Sequence, residues 1–190
     1  MRRPAHAMNQ RVVISGCSAG GKSTLLEELR RRGHAVVAEP GRRIVEQEQA
    51  GAGSALPWTD MRAFLERTAR LARLDYDGAC SARTFFDRGL VDAAAGLARL
   101  GNPSLLEQLR RERRYHEQVF LTPPWPELYQ RDSQRQLALE DALREYEHLL
   151  EVYPRLGYEV LLLPRTDVAE RADWLLAQLR HESASQAGTP

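Results

Sequence analysis

Between an apolar run, Arg11 to Ser15 (RVVIS), and a helical pattern carrying Leu25, Leu26 and Leu29 on one face, the chain reads Gly16-Cys17-Ser18-Ala19-Gly20-Gly21-Lys22-Ser23. The segment fits G-x-x-x-x-G-K-[ST] in the strand-loop-helix context that this pattern requires. Chance produces it about four times in ten thousand chains of this length and composition. Its spacing has a physical basis. Glycines let the backbone turn tightly so that successive N–H groups point inward, and the helix N-terminus adds partial positive charge, which together cradle phosphate oxygens. Gly16, Ser18, Ala19, Gly20, Gly21, Lys22 and Ser23 are therefore expected to line a phosphate site. Lys22 would reach the β- and γ-phosphates, and the Ser23 hydroxyl would ligate Mg²⁺. Composition sharpens the assignment: of 27 Lys and Arg residues only Lys22 is a lysine. Where arginine replaces lysine so freely, the remaining lysine marks a place that needs a compact ammonium.

Periodicity extends the pattern along the chain. Gly33 reads as the stop of the first helix, and Ala35 to Ala38 as a second buried strand ending at Glu39-Pro40-Gly41, with a short helix through Ile44 and Val45. Residues 51 to 58 (GAGSALPW) form a loop, after which Met61, Phe64, Leu65, Thr68, Leu71 and Ala72 predict a helix to about Cys80. Thr84 to Phe86 is a third strand, breaking at Asp87-Arg88-Gly89 into a helix through Leu90, Ala94, Leu97 and Ala98. Ser104 with Glu107, and Ser133 with Gln136, carry the capping-box signature of two further helices. Gln118 to Leu121 and Tyr158 to Leu163 complete five strands, and Asp167 caps a last helix inward-facing at Val168, Ala172, Leu175, Leu176 and Leu179. Residues 1 to 10 and 181 to 190 are expected to be a flexible start and a disordered tail around one domain, 11 to 180.

Five buried strands alternating with helices predict an α/β three-layer sandwich on a parallel sheet, with ligands at the carboxyl ends of the strands. Candidate site residues follow from position. Asp87 ends the third strand, where it would hold Mg²⁺ through a water or, as the bland alternative, cap the next helix. Glu39 ends the second strand, as a general base for an acceptor hydroxyl or as an acid favoured by a helix dipole. Arg88 would touch phosphate or substrate, or make a surface ion pair. Arg131 and Arg135 belong either to a mobile lid that closes on a transferring phosphoryl group or to a solvated helix start. Cys17 fits a small-residue position better than a redox role. The histidines lack metal-ligand spacing, so no zinc site is expected.

Composition excludes broad classes. Hydrophobic residues at 43% and charged residues at 28% are ordinary for a globular domain, and a net charge of +1 gives no field that would draw nucleic acid or an anionic membrane. No apolar run reaches the roughly 20 residues of a membrane span. Two cysteines and no signal-like segment make a cytoplasmic location the expectation. The oligomeric state is not readable.

The segments GCSAGGKST, VVAEPGRRI, FFDRGLVDA, LTPPWPELYQRDSQRQ and LGYEVLLLP, in this order, resemble a bacterial family of small AAA-type P-loop ATPases, similar in layout to ribosylnicotinamide kinases and other nucleoside-type kinases. The resemblance covers about residues 10 to 180. It implies ATP and Mg²⁺ binding through Gly21, Lys22, Ser23 and Thr24, with Asp87 near the metal, Arg131 and Arg135 in a lid, and strand order 2-3-1-4-5. The sequence departs from AAA-plus machines in lacking a Glu after Asp87 and any clear sensor segment, so a ring motor is not expected. A kinase acting on a small-molecule acceptor is the leading expectation, and a regulatory ATPase without such an acceptor the alternative. The acceptor itself is not encoded readably. The choice of ATP or GTP rests on a positional candidate only, Pro164 to Asp167.

Overall fold

Valine, isoleucine and phenylalanine concentrate in short runs that pack well on a pleated surface, and these runs become the centre of a sheet. The computed structural model describes residues 9–17, 20–51, 53–79, 83–112, 114–125 and 133–187. Five strands, β1 (Arg11–Gly16), β2 (Ala35–Val37), β3 (Thr84–Asp87), β4 (Gln118–Thr122) and β5 (Glu159–Leu162), form one sheet in the order β2-β3-β1-β4-β5. Every pairing is parallel. Seven helices connect and cover it: α1 (Lys22–Arg31), α2 (Pro40–Ala50), α3 (Met61–Gly78), α4 (Leu90–Arg99), α5 (Ser104–Arg111), α6 (Ser133–Arg155) and α7 (Val168–Ala187). The expected fold and strand order are both present.

The strand period of two splits the core into two layers. Val13, Phe86, Val119 and Leu121 face α3, α4, α5 and α6, packing on Ala72, Val91, Leu109, Leu149 and Tyr153. Val12, Ile14, Phe85 and Phe120 face the other way, onto Leu25 and Leu29 of α1 and Ala172, Leu175 and Leu179 of α7. Each fully buried side chain of this size contributes about 1.5–3 kcal/mol. The register sets the site. Ile14 lies beside Asp87 of β3 and Phe120 of β4, and Gly16 beside Thr122, so three strands end at one level.

Several expectations need correction. β2 and β5 are only partly buried, because they are the two edges of the sheet and each has a single neighbour. Met61 is 42% exposed, since α3 turns Thr68, Ala69 and Ala72 inward instead. Ser104 is the first helical residue of α5 with Pro103 at the cap, so it does not act as the capping side chain. α7 runs on to Ala187, past the point where a disordered tail was expected to begin. Asp167 does cap α7, accepting the Glu170 N–H at 2.9 Å. Among the described residues no helix is long and apolar enough to cross a membrane.

Candidate functional site

The end of β1 and the start of α1 are held against β4 so closely that only glycine fits. A Cβ on Gly16 would stand 2.5 Å from the Thr122 carbonyl oxygen and 2.6 Å from its nitrogen, at a φ of +107°. A Cβ on Gly20 would meet the Thr122 side chain at 2.7 Å. Thr122 in turn ties the loop down: it accepts the Cys17 N–H at 3.0 Å, and its hydroxyl donates to the Ser15 carbonyl at 3.1 Å. Gly21, at φ +74°, precedes the first residue of α1, whose Lys22 is buried while Ser23 and Thr24 are exposed. Cys17 is wholly buried, which disfavours a redox role. Ser18 and Ala19 lie outside the described residues.

Lys22 Nζ pairs with Asp87 Oδ1 across the sheet, with side chains 8% and 11% exposed. Burial pushes the Asp87 carboxyl above the usual carboxylate range, opposed by the Lys22 charge beside it. Asp87 does not cap a helix, because α4 begins at Leu90 with Gly89 as its cap. The Gly89 N–H is instead accepted by Asp92 at 2.8 Å.

Arg88 is the centre of a second group. Its side chain is 11% exposed, which rules out the surface pair considered from sequence. It donates to Glu145 of α6 at 2.6 Å and to the Gly16 carbonyl at 3.2 Å, and its Nε stands 3.3 Å from Glu39 Oε1. Asp92 lies 3.6 Å away and receives the Ser15 hydroxyl and, at 2.8 Å, the Tyr153 hydroxyl. Burial works against the Arg88 charge, but Glu145, Asp92 and Glu39 outweigh it and push its pKa up. Glu39 is the cap residue of α2 with Pro40 following, yet its side chain caps nothing and faces Arg88.

Lys22, Asp87 and Glu39 thus converge on one end of the sheet, while Arg131 and the side chain of Arg135 lie outside the described residues. Sequence reading missed Ser15, Asp92, Thr122, Glu145 and Arg171. Asp92 had a local signal, an acid three residues after Gly89. Arg171 of α7 had none: it donates to the Gly20 and Gly21 carbonyls, each at 3.1 Å, from 150 residues away.

A family model described as an AAA domain matches residues 11–171. The chain belongs to this AAA-domain family. The match spans β1 through the first turn of α7 and contains the whole glycine cradle. Among curated proteins none matches the chain in sequence. Solved structures share its fold at low identity. Shikimate kinase from Acinetobacter baumannii in complex with shikimate is similar at TM-score 0.57 and 16% identity, over 93% of this chain and 95% of that one. Deoxyadenosine kinase from M. mycoides with bound dATP is similar at TM-score 0.56 and 14% identity, over 90% and 98%. The same enzyme with dCTP gives 0.55 and 14%, over 90% and 99%. The fold is therefore that of the P-loop kinases.

The donor set fits a magnesium-bound nucleotide. Mg²⁺ favours carboxylate and hydroxyl oxygens and keeps waters besides, so Asp87 and Ser23 suffice on the protein side. Gly16, Gly20 and Gly21 let the loop pack directly on Thr122 and Arg171, and the turn so fixed leads into the N-terminus of α1, where backbone N–H groups suit an anion.

Proposed function

We propose that this protein is a Mg-ATP-dependent phosphotransferase that moves the γ-phosphoryl group of ATP to a hydroxyl or phosphate of a small molecule. The observation that carries the reading is the Glu39 carboxylate held beside Arg88, which also touches the first carbonyl of the phosphate loop. A carboxylate beside the loop can activate either water or an acceptor hydroxyl; this chain has Arg88 at the position after Asp87 where AAA-plus hydrolases carry their water-activating Glu, which favours the acceptor hydroxyl for Glu39.

When bound, the magnesium ion would neutralise charge on the β- and γ-phosphates. Lys22, the single lysine of the chain, would exchange Asp87 for phosphate oxygens, leaving the Asp87 carboxylate to Mg²⁺ with Ser23. Gly21 and Lys22 would present backbone donors, with Gly16, Ser18, Ala19, Gly20 and Thr24 completing the loop. Arg88 would keep Glu39 oriented, and Glu39 would take the acceptor proton. Arg131 and Arg135 would close over the transferring group as a lid.

ADP release from Mg-ATP by wild type and Lys22→Ala, with and without pooled nucleosides, nucleotides, sugars and vitamins, tests the class. Acceptor-dependent release that disappears in Lys22→Ala is expected. Glu39→Gln should lower acceptor-dependent turnover by about 10²- to 10⁴-fold with ATP binding retained. Membership of an AAA-domain family keeps one other reading in view, a regulatory ATPase. That reading predicts slow release indifferent to every pool.

A further inference from the structure

Three cations are buried around the glycine cradle, and their charges are balanced very differently. Lys22 is matched by Asp87. Arg88 faces three carboxylates, Glu39, Asp92 and Glu145. Arg171 is 3% exposed and has no carboxylate partner among the described residues. It is held by two carbonyl oxygens of the loop and lies 5.6 Å from the Trp125 ring centroid, with a buried Nε that has no hydrogen-bond partner among the described residues. Removing an unmatched charge from water is costly, so such a group persists where a counter-charge arrives with a ligand.

The two carbonyls identify what the guanidinium acts on. The Gly20 oxygen shares its peptide group with the Gly21 N–H, and the Gly21 oxygen shares its peptide group with the Lys22 N–H. A cation donating to a carbonyl polarises that peptide and strengthens its N–H as a donor. Both N–H groups belong to the turn that a phosphate would occupy. The fit is tight: a Cβ on Gly21 would stand 2.5 Å from the Arg171 guanidinium.

We infer that Arg171 is a positioning residue for the phosphate loop. From α7 it supplies a cation with no carboxylate partner among the described residues and, through the Gly20 and Gly21 carbonyls, polarises the Gly21 and Lys22 amides toward a nucleotide polyphosphate. Arg171 acts through the backbone, so its effect follows phosphate and not base. The inference rests on the nucleotide-binding reading above.

The test compares wild type, Arg171→Met and Arg171→Lys in calorimetric titrations with Mg-ATP and inorganic tripolyphosphate, and in NMR titrations with adenosine. Arg171→Met should weaken Mg-ATP and tripolyphosphate by a similar factor, about ten- to a hundredfold, and leave adenosine unchanged. Arg171→Lys should fall between, because an ammonium keeps the charge but cannot span two carbonyls as a planar fork does. Equal losses for adenosine and Mg-ATP, or tripolyphosphate affinity in Arg171→Met within twofold of wild type, would overturn the inference. Should Arg171→Met fail to fold, wild type alone decides: the Arg171 Nε–H and the Gly21 and Lys22 amide resonances must shift together on adding tripolyphosphate. A static Nε–H signal rejects the role. Wild type that binds neither Mg-ATP nor tripolyphosphate sinks the nucleotide reading as well, whereas binding that is indifferent to Arg171 sinks the inference alone.

Discussion

Arg88 holds a backbone φ of +61°, a left-handed conformation that costs a non-glycine residue roughly 1–2 kcal/mol. The chain turns sharply there because β3 must end at Asp87 while α4 opens two residues later under Gly89. The reward for tolerating that turn is electrostatic. The guanidinium reaches β1, α2 and α6 at once, through Gly16, Glu39 and Glu145. Arg88→Met would remove the cation and leave three carboxylates facing one another. We expect a loss of about 3–5 kcal/mol in a urea melt, because breaking a buried pair strands the partner charge. An unchanged unfolding midpoint would show that water already solvates those acids. Under the proposed function Lys22 and Asp87 differ in kind, since a nucleotide and its metal would replace their pair.

Three helices end in the same way, and at this level the sequence was most readable. After α1, the Gly33 N–H donates to the Arg30 carbonyl at 2.9 Å and the His34 N–H to Leu29 at 3.0 Å, the double bond of a Schellman stop. Gly101 after α4 and Gly157 after α6 repeat it, at φ +81° and +82°. At Gly33 nothing stands within 4 Å of where a Cβ would lie, so Gly33→Ala meets backbone strain alone. The expected cost is about 1 kcal/mol, a fall in Tm of about 2–4 °C for a chain of this size. A larger fall in a thermal scan would mean that the turn also bears contacts. α6 shows the reach of one element: Tyr146, Leu149, Val152 and Tyr153 are its core side, yet Glu145 on the same helix meets Arg88.

Across the whole molecule, two imidazoles that folding makes harder to protonate contribute a pH response near neutrality. Burial holds His116 below its ordinary 6.5, and its Nδ1 accepts the Gln118 N–H at 3.1 Å. Burial also lowers His34, helped by the Arg83 and Arg32 charges. The unfolded chain therefore binds more protons than the native one near and below pH 6.5, and the stability contributed by neutral imidazole is present above that value and lost as pH falls. Tm should drop between pH 7.5 and pH 5.5, a window set by the ordinary imidazole value, and His116→Asn should flatten the slope; parallel curves for the two proteins would exclude His116 as its source. The same whole-molecule view separates what local sequence encodes from what it does not. Strand runs, helix faces, the glycine stops and the turn before α1 depend on neighbours a few residues apart, so Gly16, Gly20, Gly21, Gly33 and Asp167 were legible directly. The positions of Glu39 and Asp87 were legible too, because a parallel sheet delivers its strand ends to one edge. Their partners were not. Ser15 meets Asp92, Arg88 meets Glu145, and Arg171 meets Gly20 and Gly21 only after the chain has folded. Edge exposure of β2 and β5 likewise depends on sheet order, since an apolar run reads the same whether it gains one neighbour or two. By itself the sequence determined a glycine-rich turn between strand and helix on a parallel α/β sheet. Which buried cations around that turn meet a carboxylate among the described residues, and that Arg171 meets none, was decided by tertiary packing, because charge pairing depends on distances in space that no local pattern records.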